Sequence, residues 1–193
     1  MAGYAGTQLH DVTAHVTPAP GRLEVIRRFL NTVDFEHEDD LFETGAGARR
    51  WLVKQGLLRR GVDVGDGEAV RLVDLREAMR SVAESHNGAA LRADAVARLK
   101  QEAAAATISA VLENGDSMRL VGGNDSVDAV VSALVAIVCE AVADDTWSRL
   151  KACRSGTCRW AFYDASRNRA GTWCSMEVCG NRAKVRSYRT RHR

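Results

Sequence analysis

The stretch CRSGTCRWAFYDASRNRAGTWCSMEVCGNR, residues 153–182, holds four of the chain's five cysteines. They fall at Cys153, Cys158, Cys174 and Cys179, in the spacing C-x4-C-x15-C-x4-C. Two close pairs separated by about fifteen residues suit a tetrahedral zinc ion, because each pair can supply two thiolates from one turn. Spacers of four are at the wide end for such a site. A disulfide framework would need an oxidising compartment, and the N-terminus MAGYAGTQLHDV has neither the basic nor the apolar region of an export signal. A redox pair prefers C-x-x-C, which the chain lacks. One structural zinc ion is therefore expected. Four thiolates fill its coordination shell and leave no open position for a catalytic water.

The energetics point the same way. The segment's apolar residues are few: Trp160, Phe162, Trp173 and one or both of Val185 and Tyr188. Such a core cannot offset the ordering entropy of about forty residues, whereas a structural zinc contributes on the order of 10 kcal/mol. Between the cysteine pairs, CRWAFYDAS alternates like a strand, with Trp160 and Phe162 on one side and Arg159 and Ala161 on the other. SRNRAGT reads as a turn. Asn181 is predicted to cap a helix that starts at Arg182.

At about 100° per residue, Arg182, Arg186, Arg189 and Arg193 fall within an arc of about 60°, with Lys184, Tyr188 and Arg191 on the other side. A row of arginines suits phosphates or guanine edges, and Arg167 and Arg169 on the preceding turn could add phosphate contacts. The competing reading is a solubilising basic tail that frays beyond residue 188.

The whole chain has a net charge of only +2, but the charge is split. Residues 151–193 carry 11 Lys and Arg against Asp164 and Glu177, a net of +9, while residues 1–150 carry 16 basic and 23 acidic residues, a net of −7. This asymmetry predicts a basic part that meets a polyanion, attached to a body that does not. Apolar residues make up 46% of the chain, enough for a substantial core. The most apolar stretch, residues 127–142, contains Asp128 and Glu140 and falls at or below the roughly 17 residues needed to span a membrane. It reads as a buried helix, with Cys139 an inert buried thiol, in a soluble, cytoplasmic protein.

Upstream, residues 1–20 form a polar lead-in ending at Pro18 and Pro20. Helices are predicted at 23–35 (Leu23, Ile26, Leu30 and Val33 on one face), 41–58 (Trp51, Leu52 and Leu58 in the core), 68–86 and 91–105. Gly45 and Gly47 weaken the start of the second. The helix at 68–86 offers Val70, Leu72, Val73, Leu75, Met79 and Val82 as apolar positions. Asn114-Gly115 predicts a type I′ hairpin pairing 107–113 with 116–121. A long helix follows, capped by Asn124, Asp125 or Ser126 and running to about residue 147. The expected fold is mainly α with a small β-hairpin. Its parts are the lead-in 1–20, a helical effector or dimerisation domain 21–150, and a zinc module 151–193. His10, His15, His37 and His86 stand alone and form no ligand pattern. The acidic run 34–40 reads as a solvated loop, and no catalytic arrangement is visible, so no enzyme activity is expected.

The pattern CRW-F-D-S-N---WCSM--CGNRAKVR-YR-R resembles the CGNR zinc finger, named for Cys179-Gly180-Asn181-Arg182. The segment RRFLNTVDFEHEDDLFETGAGARRWLVKQGLL is similar to the ABATE domain that usually precedes that finger, including its Asn-Thr-acid start at Asn31 and Thr32. The resemblance implies a treble-clef-like finger in which Cys153, Cys158, Cys174 and Cys179 bind zinc, and a bacterial transcription regulator whose finger contacts double-stranded DNA. The N-terminal domain would sense a small-molecule effector or form a homodimer. The alternative is a zinc-stabilised adaptor for RNA or an acidic protein partner.

Overall fold

The computed structural model describes residues 17–191. Most of the lead-in, with His10 and His15, lies outside the described residues, as does Arg193. Helix α1 (Leu23–Leu30) buries Leu23, Ile26, Phe29 and Leu30. It ends before the predicted Phe35 because the chain turns at Asn31 into a short antiparallel pair, β1 (Val33–Asp34) with β2 (Asp39–Asp40). Asp34 shapes the tip by accepting from the backbone N–H groups of Glu36 and His37 and from His37 Nδ1. Asp40 accepts from Phe42 N and forms a two-pronged pair with the buried Arg76 at 2.7 Å. The acidic run 34–40 is thus a folded hairpin in which Asp34, Glu36 and Asp40 have partners, and not the solvated loop its composition suggests.

Helix α2 (Gly45–Lys54) is capped by Thr44, whose hydroxyl accepts from Gly47 N. The two glycines that weaken this helix on propensity grounds are required by packing. A Cβ on Gly45 would lie 2.1 Å from the carbonyl oxygen of Val64, and one on Gly47 2.2 Å from that of Leu41. Trp51 closes a cluster with Phe29 and Phe42, with ring centroids 5.6–5.9 Å apart. Helix α3 (Asp66–Ser85) crosses the centre and buries Leu72, Leu75 and Met79, while Val70 faces solvent. Helix α4 (Ala93–Ala105) packs on α3.

The predicted hairpin forms from β3 (Ser109–Leu112) and β4 (Met118–Val121). Its turn is not the expected two-residue type I′. Gly115 has φ +83 but Asn114 is not in the left-handed region, and Glu113 N donates to Ser117 O to close a three-residue loop. Such a loop needs only one left-handed residue. Helix α5 (Val127–Ala143) is capped by Ser126, whose hydroxyl accepts from Ala129 N. It buries Val130, Val131, Leu134, Ile137 and Ala141 against α1 and α4. Cys139 is exposed rather than buried. It lies about 200° around the helix from Ile137, and a sequence apolar on every side hides which face turns outward. Among the described residues, no helix is long and apolar enough to cross a membrane.

A short 3-10 turn leads to β5 (Leu150–Ala152), which pairs antiparallel with β6 (Ala161–Tyr163) in the register Leu150↔Tyr163, Lys151↔Phe162, Ala152↔Ala161. Strand β5 lies against α3 and β6 against α1. Leu150, Ala152 and Ala161 are buried in the same hydrophobic core as the helices. A π-turn, Met176–Gly180, then runs directly into α6 (Asn181–Arg191). Asn181 is not the cap. It has helical backbone angles, and its amide donates back to Glu177 O at 3.0 Å. The cap is Ser175, whose hydroxyl accepts from Val178 N. The helical path therefore starts about one and a half turns earlier and takes in Cys179.

Candidate metal centre

The two cysteine pairs come from two turns. Cys153 leaves β5 with its N–H on Trp160 O, and the N–H groups of Cys158 and Arg159 both reach back to Ser155 O. Arg159 takes φ +50 to close this knuckle. Cys174 precedes the Ser175 cap, and Cys179 sits in the π-turn. The four sulfurs all lie within 4.8 Å of one another. Cys158 Sγ is 3.6 Å from Cys174 Sγ, which is 3.7 Å from Cys179 Sγ. A tetrahedral zinc with Zn–S bonds of about 2.3 Å requires sulfur–sulfur edges of about 3.8 Å. The observed spacings match, and they are far longer than an S–S bond of about 2.05 Å.

The electrostatics suit a cation. Hydrogen bonds from Cys158 and Cys174 hold the Cys153 thiol down to about 2. That first thiolate pushes Cys158 up to about 12 and Cys174 higher still. Burial, with the Cys153 charge behind it, raises Cys179. Four thiolates can coexist here only around a dication, which supplies the charge they lack. The cluster is the site of one structural zinc, and the start of the helical segment beside it favours the thiolates of Cys174 and Cys179.

Side-chain amides dock this centre on the helical body. Asn31 Nδ2 donates to Ala161 O at 2.9 Å, and its Oδ1 accepts from Ala161 N at 2.7 Å. It acts as a one-residue strand partner for β6. Asn87 Nδ2 donates to Ala152 O and Thr172 O, while Asn87 O accepts from Arg154 Nε. His86 Nδ1 donates to Leu150 O at 2.8 Å, and burial holds its pKa below the usual imidazole range. Arg80, fully buried, donates to Leu30 O and Arg159 O and pairs with Glu77. Phe35 lies under both Arg80 and Arg159, 5.0 and 4.5 Å from ring centroid to guanidinium carbon.

The turn that carries Arg167 and Arg169 is built on a buried ion pair. Lys151 Nζ donates to Asp164 Oδ2 at 2.8 Å and to the carbonyls of Arg169 and Gly171. Asp164 also accepts from Ser166 N, Ser166 Oγ and Gly171 N. Burial opposes its charge, but these donors hold its carboxyl down to about 2. A Cβ on Gly171 would lie 2.8 Å from Asp164 Cγ, so the close approach needs glycine.

The predicted basic residues divide into two groups. Arg169 pairs with Asp145 and donates to Ser148 Oγ, and Arg182 pairs with Glu36. Both are tied to the body. Arg167, Lys184, Arg186, Arg189 and Arg191 are exposed and have no ion-pair partner among the described residues. Sequence reasoning missed the roles of Asn31, Asn87, Lys151 and Asp164. Asn31 carried a signal, as a polar side chain closing an apolar helix. A lysine and an aspartate thirteen positions apart carried none.

Comparison with known families agrees with this geometry. The profile of the CGNR zinc finger matches residues 149–192. The ABATE profile, described as "Putative stress-induced transcription regulator", matches residues 23–147. No curated protein gives a significant match. The two profiles abut in the order of the structure, from the helical body to the four-cysteine centre docked on it. The chain belongs to the ABATE family, with a CGNR zinc finger at its C-terminal end.

Proposed function

We propose that the protein regulates transcription by binding double-stranded DNA through the face of α6 that carries Arg186 and Arg189, without enzymatic activity. The observation that supports this most directly is the state of α6. It buries no residue, and beyond the Arg182–Glu36 pair it presents Lys184, Arg186, Arg189 and Arg191, which no carboxylate neutralises among the described residues. Its N-terminal end is fixed by the metal centre through Cys179, so the cations are carried on an anchored helix. Arg167 lies on the Lys151–Asp164 turn of the same module and supplies a further phosphate contact.

Four to five phosphate contacts give a slope of about −4 in log affinity against log salt. Fluorescence anisotropy with a labelled duplex, at several salt concentrations, measures it. The double substitution Arg186→Ala with Arg189→Ala is expected to weaken binding at least tenfold near 0.1 M salt and to make the slope shallower by about two. Wild-type binding no tighter than that of the double variant overturns the reading.

A further inference from the structure

The β3–β4 hairpin has two edges, and only one is guarded. On the outer edge of β4, Leu120 N donates to Glu140 Oε1 at 2.7 Å and Leu120 O accepts from Arg22 Nη1 at 2.6 Å. Arg22 and Glu140 are themselves paired at 3.0 Å, so side chains plug that edge completely at Leu120. The register fixes what the other edge shows. Glu113 N bonds to Ser117 O, and Leu120 points its backbone groups away from its partner Ala110. Antiparallel pairs alternate between bonded and non-bonded. Ala110 and Leu112 therefore turn their N–H and C=O groups outward from β3. None of these four groups has a hydrogen-bond partner among the described residues.

Among the described residues nothing protects this edge. All four β3 residues are exposed, and none is charged or a proline, which are the usual guards of a free edge. The surrounding surface is apolar: Leu112 is 61% and its cross-strand neighbour Met118 68% exposed. The one charge within the two strands, Arg119, pairs with Glu113 at 2.7 Å. A short two-stranded ribbon of this kind is marginal alone in water.

We propose that the β3 edge is a dimer interface, joined to β3 of a second copy to make a four-stranded antiparallel sheet. The register follows from the backbone. Only Ala110 and Leu112 point outward, so the two-fold axis passes beside Val111. Ala110 then faces Leu112 of the second copy, and each such pair exchanges two hydrogen bonds. Val111, 42% exposed, meets its own copy in the closer, non-bonded position. The two-fold sets Val111 against its own copy and Leu112 diagonally across from its own, so a charge at either would repel itself; β3 is neutral there, while residues 1–150 carry a net of −7. This interface does not depend on the DNA reading.

The test is the mass of the full zinc-loaded chain by sedimentation and light scattering, from about 1 to 300 μM, with variants in the same series. The wild type is expected to approach twice its 21.0 kDa with rising concentration. Ala110→Pro removes an outward N–H and no β3–β4 bond, and Leu112→Lys places like charges across the interface. Each is expected to weaken the dimer at least tenfold with unchanged circular dichroism and zinc content. A wild type that stays monomeric throughout overturns the proposal, and so does a dimer that both substitutions leave intact. A wild-type monomer that dimerises only after removal of residues 1–16 also overturns it, because the chain's own segment would then be the occupant.

Discussion

Glu36 Oε1 accepts a hydrogen bond from Arg182 Nη1 at 2.6 Å, joining the acidic β1–β2 hairpin to the first turn of the basic helix. It is the one ion pair between α6 and the helical body among the described residues. A phosphate approaching Arg182 must displace this carboxylate. Glu36→Gln is therefore expected to tighten duplex DNA binding about threefold to tenfold and to steepen the salt slope by up to one. Anisotropy titrations of both proteins at matched salt measure this. Weaker binding by the variant would mean that Glu36 orients Arg182 instead of competing for it.

The metal holds more than the finger. Strands β5 and β6 contribute Leu150, Ala152 and Ala161 to the common core, so zinc loss should loosen the helical body as well. One zinc per chain is expected by metal analysis of reduced protein. A chelator should lower the melting temperature of the whole chain in a single transition. Cys158→Ser should reproduce the loss, whereas Cys139→Ser, on the exposed face of α5, should leave zinc content unchanged. Two independent transitions after chelation would contradict the shared core.

Asn31→Ala leaves the backbone N–H and C=O of Ala161 buried without partners. Each such group costs about 1–3 kcal/mol, so a total loss of about 2–6 kcal/mol is expected in urea denaturation. Asn31→Asp restores only the acceptor and should recover less than half of it. A loss under about 1 kcal/mol would show that water replaces the amide.

Asp164 sets a pH dependence with a definite sign. Its carboxyl ionises at about 2 in the folded chain against an ordinary 3.8. The unfolded chain therefore binds more protons between these values, and the stabilisation from this group, complete above about pH 4, is lost as pH falls through 3.8 towards 2. Asp164→Asn should cost about 3 kcal/mol at neutral pH because it strands the Lys151 charge. The gap between the two proteins should narrow below pH 4. Metal loss in acid acts on both proteins, so the difference isolates the carboxylate.

The metal centre was legible because its chemistry needs fixed residue types at fixed spacing. The β3–β4 hairpin and the Ser126 cap were legible because turn and cap chemistry are local. Four features were not. The acidic run 34–40 looks solvated until Arg76 and Arg182 arrive from elsewhere in the sequence to pair with Asp40 and Glu36. Cys139 sits in a helix apolar all round, where periodicity cannot tell inside from outside. Asn181 has the composition of a cap, but Ser175 competes for that role one and a half turns earlier, and the π-turn between them has no simple sequence signature. Docking of the finger was least visible, since Asn31 and Asn87 recognise backbone, and backbone recognition leaves no complementary residue to find.

The shared core also bears on modularity. Two families meet in this chain within two residues, at 147 and 149, yet the cut would pass through a common interior. A finger transplanted to another protein would carry Leu150, Ala152 and Ala161 into water, and a truncated body would bare Asn31, Arg80 and Asn87 in a groove meant for strands. Chimeras that keep α1 and α3 together with the finger should be recoverable as folded proteins, while fusions cut between 147 and 149 should be prone to aggregation. In this protein the unit that can be inherited, moved or engineered is the whole assembly.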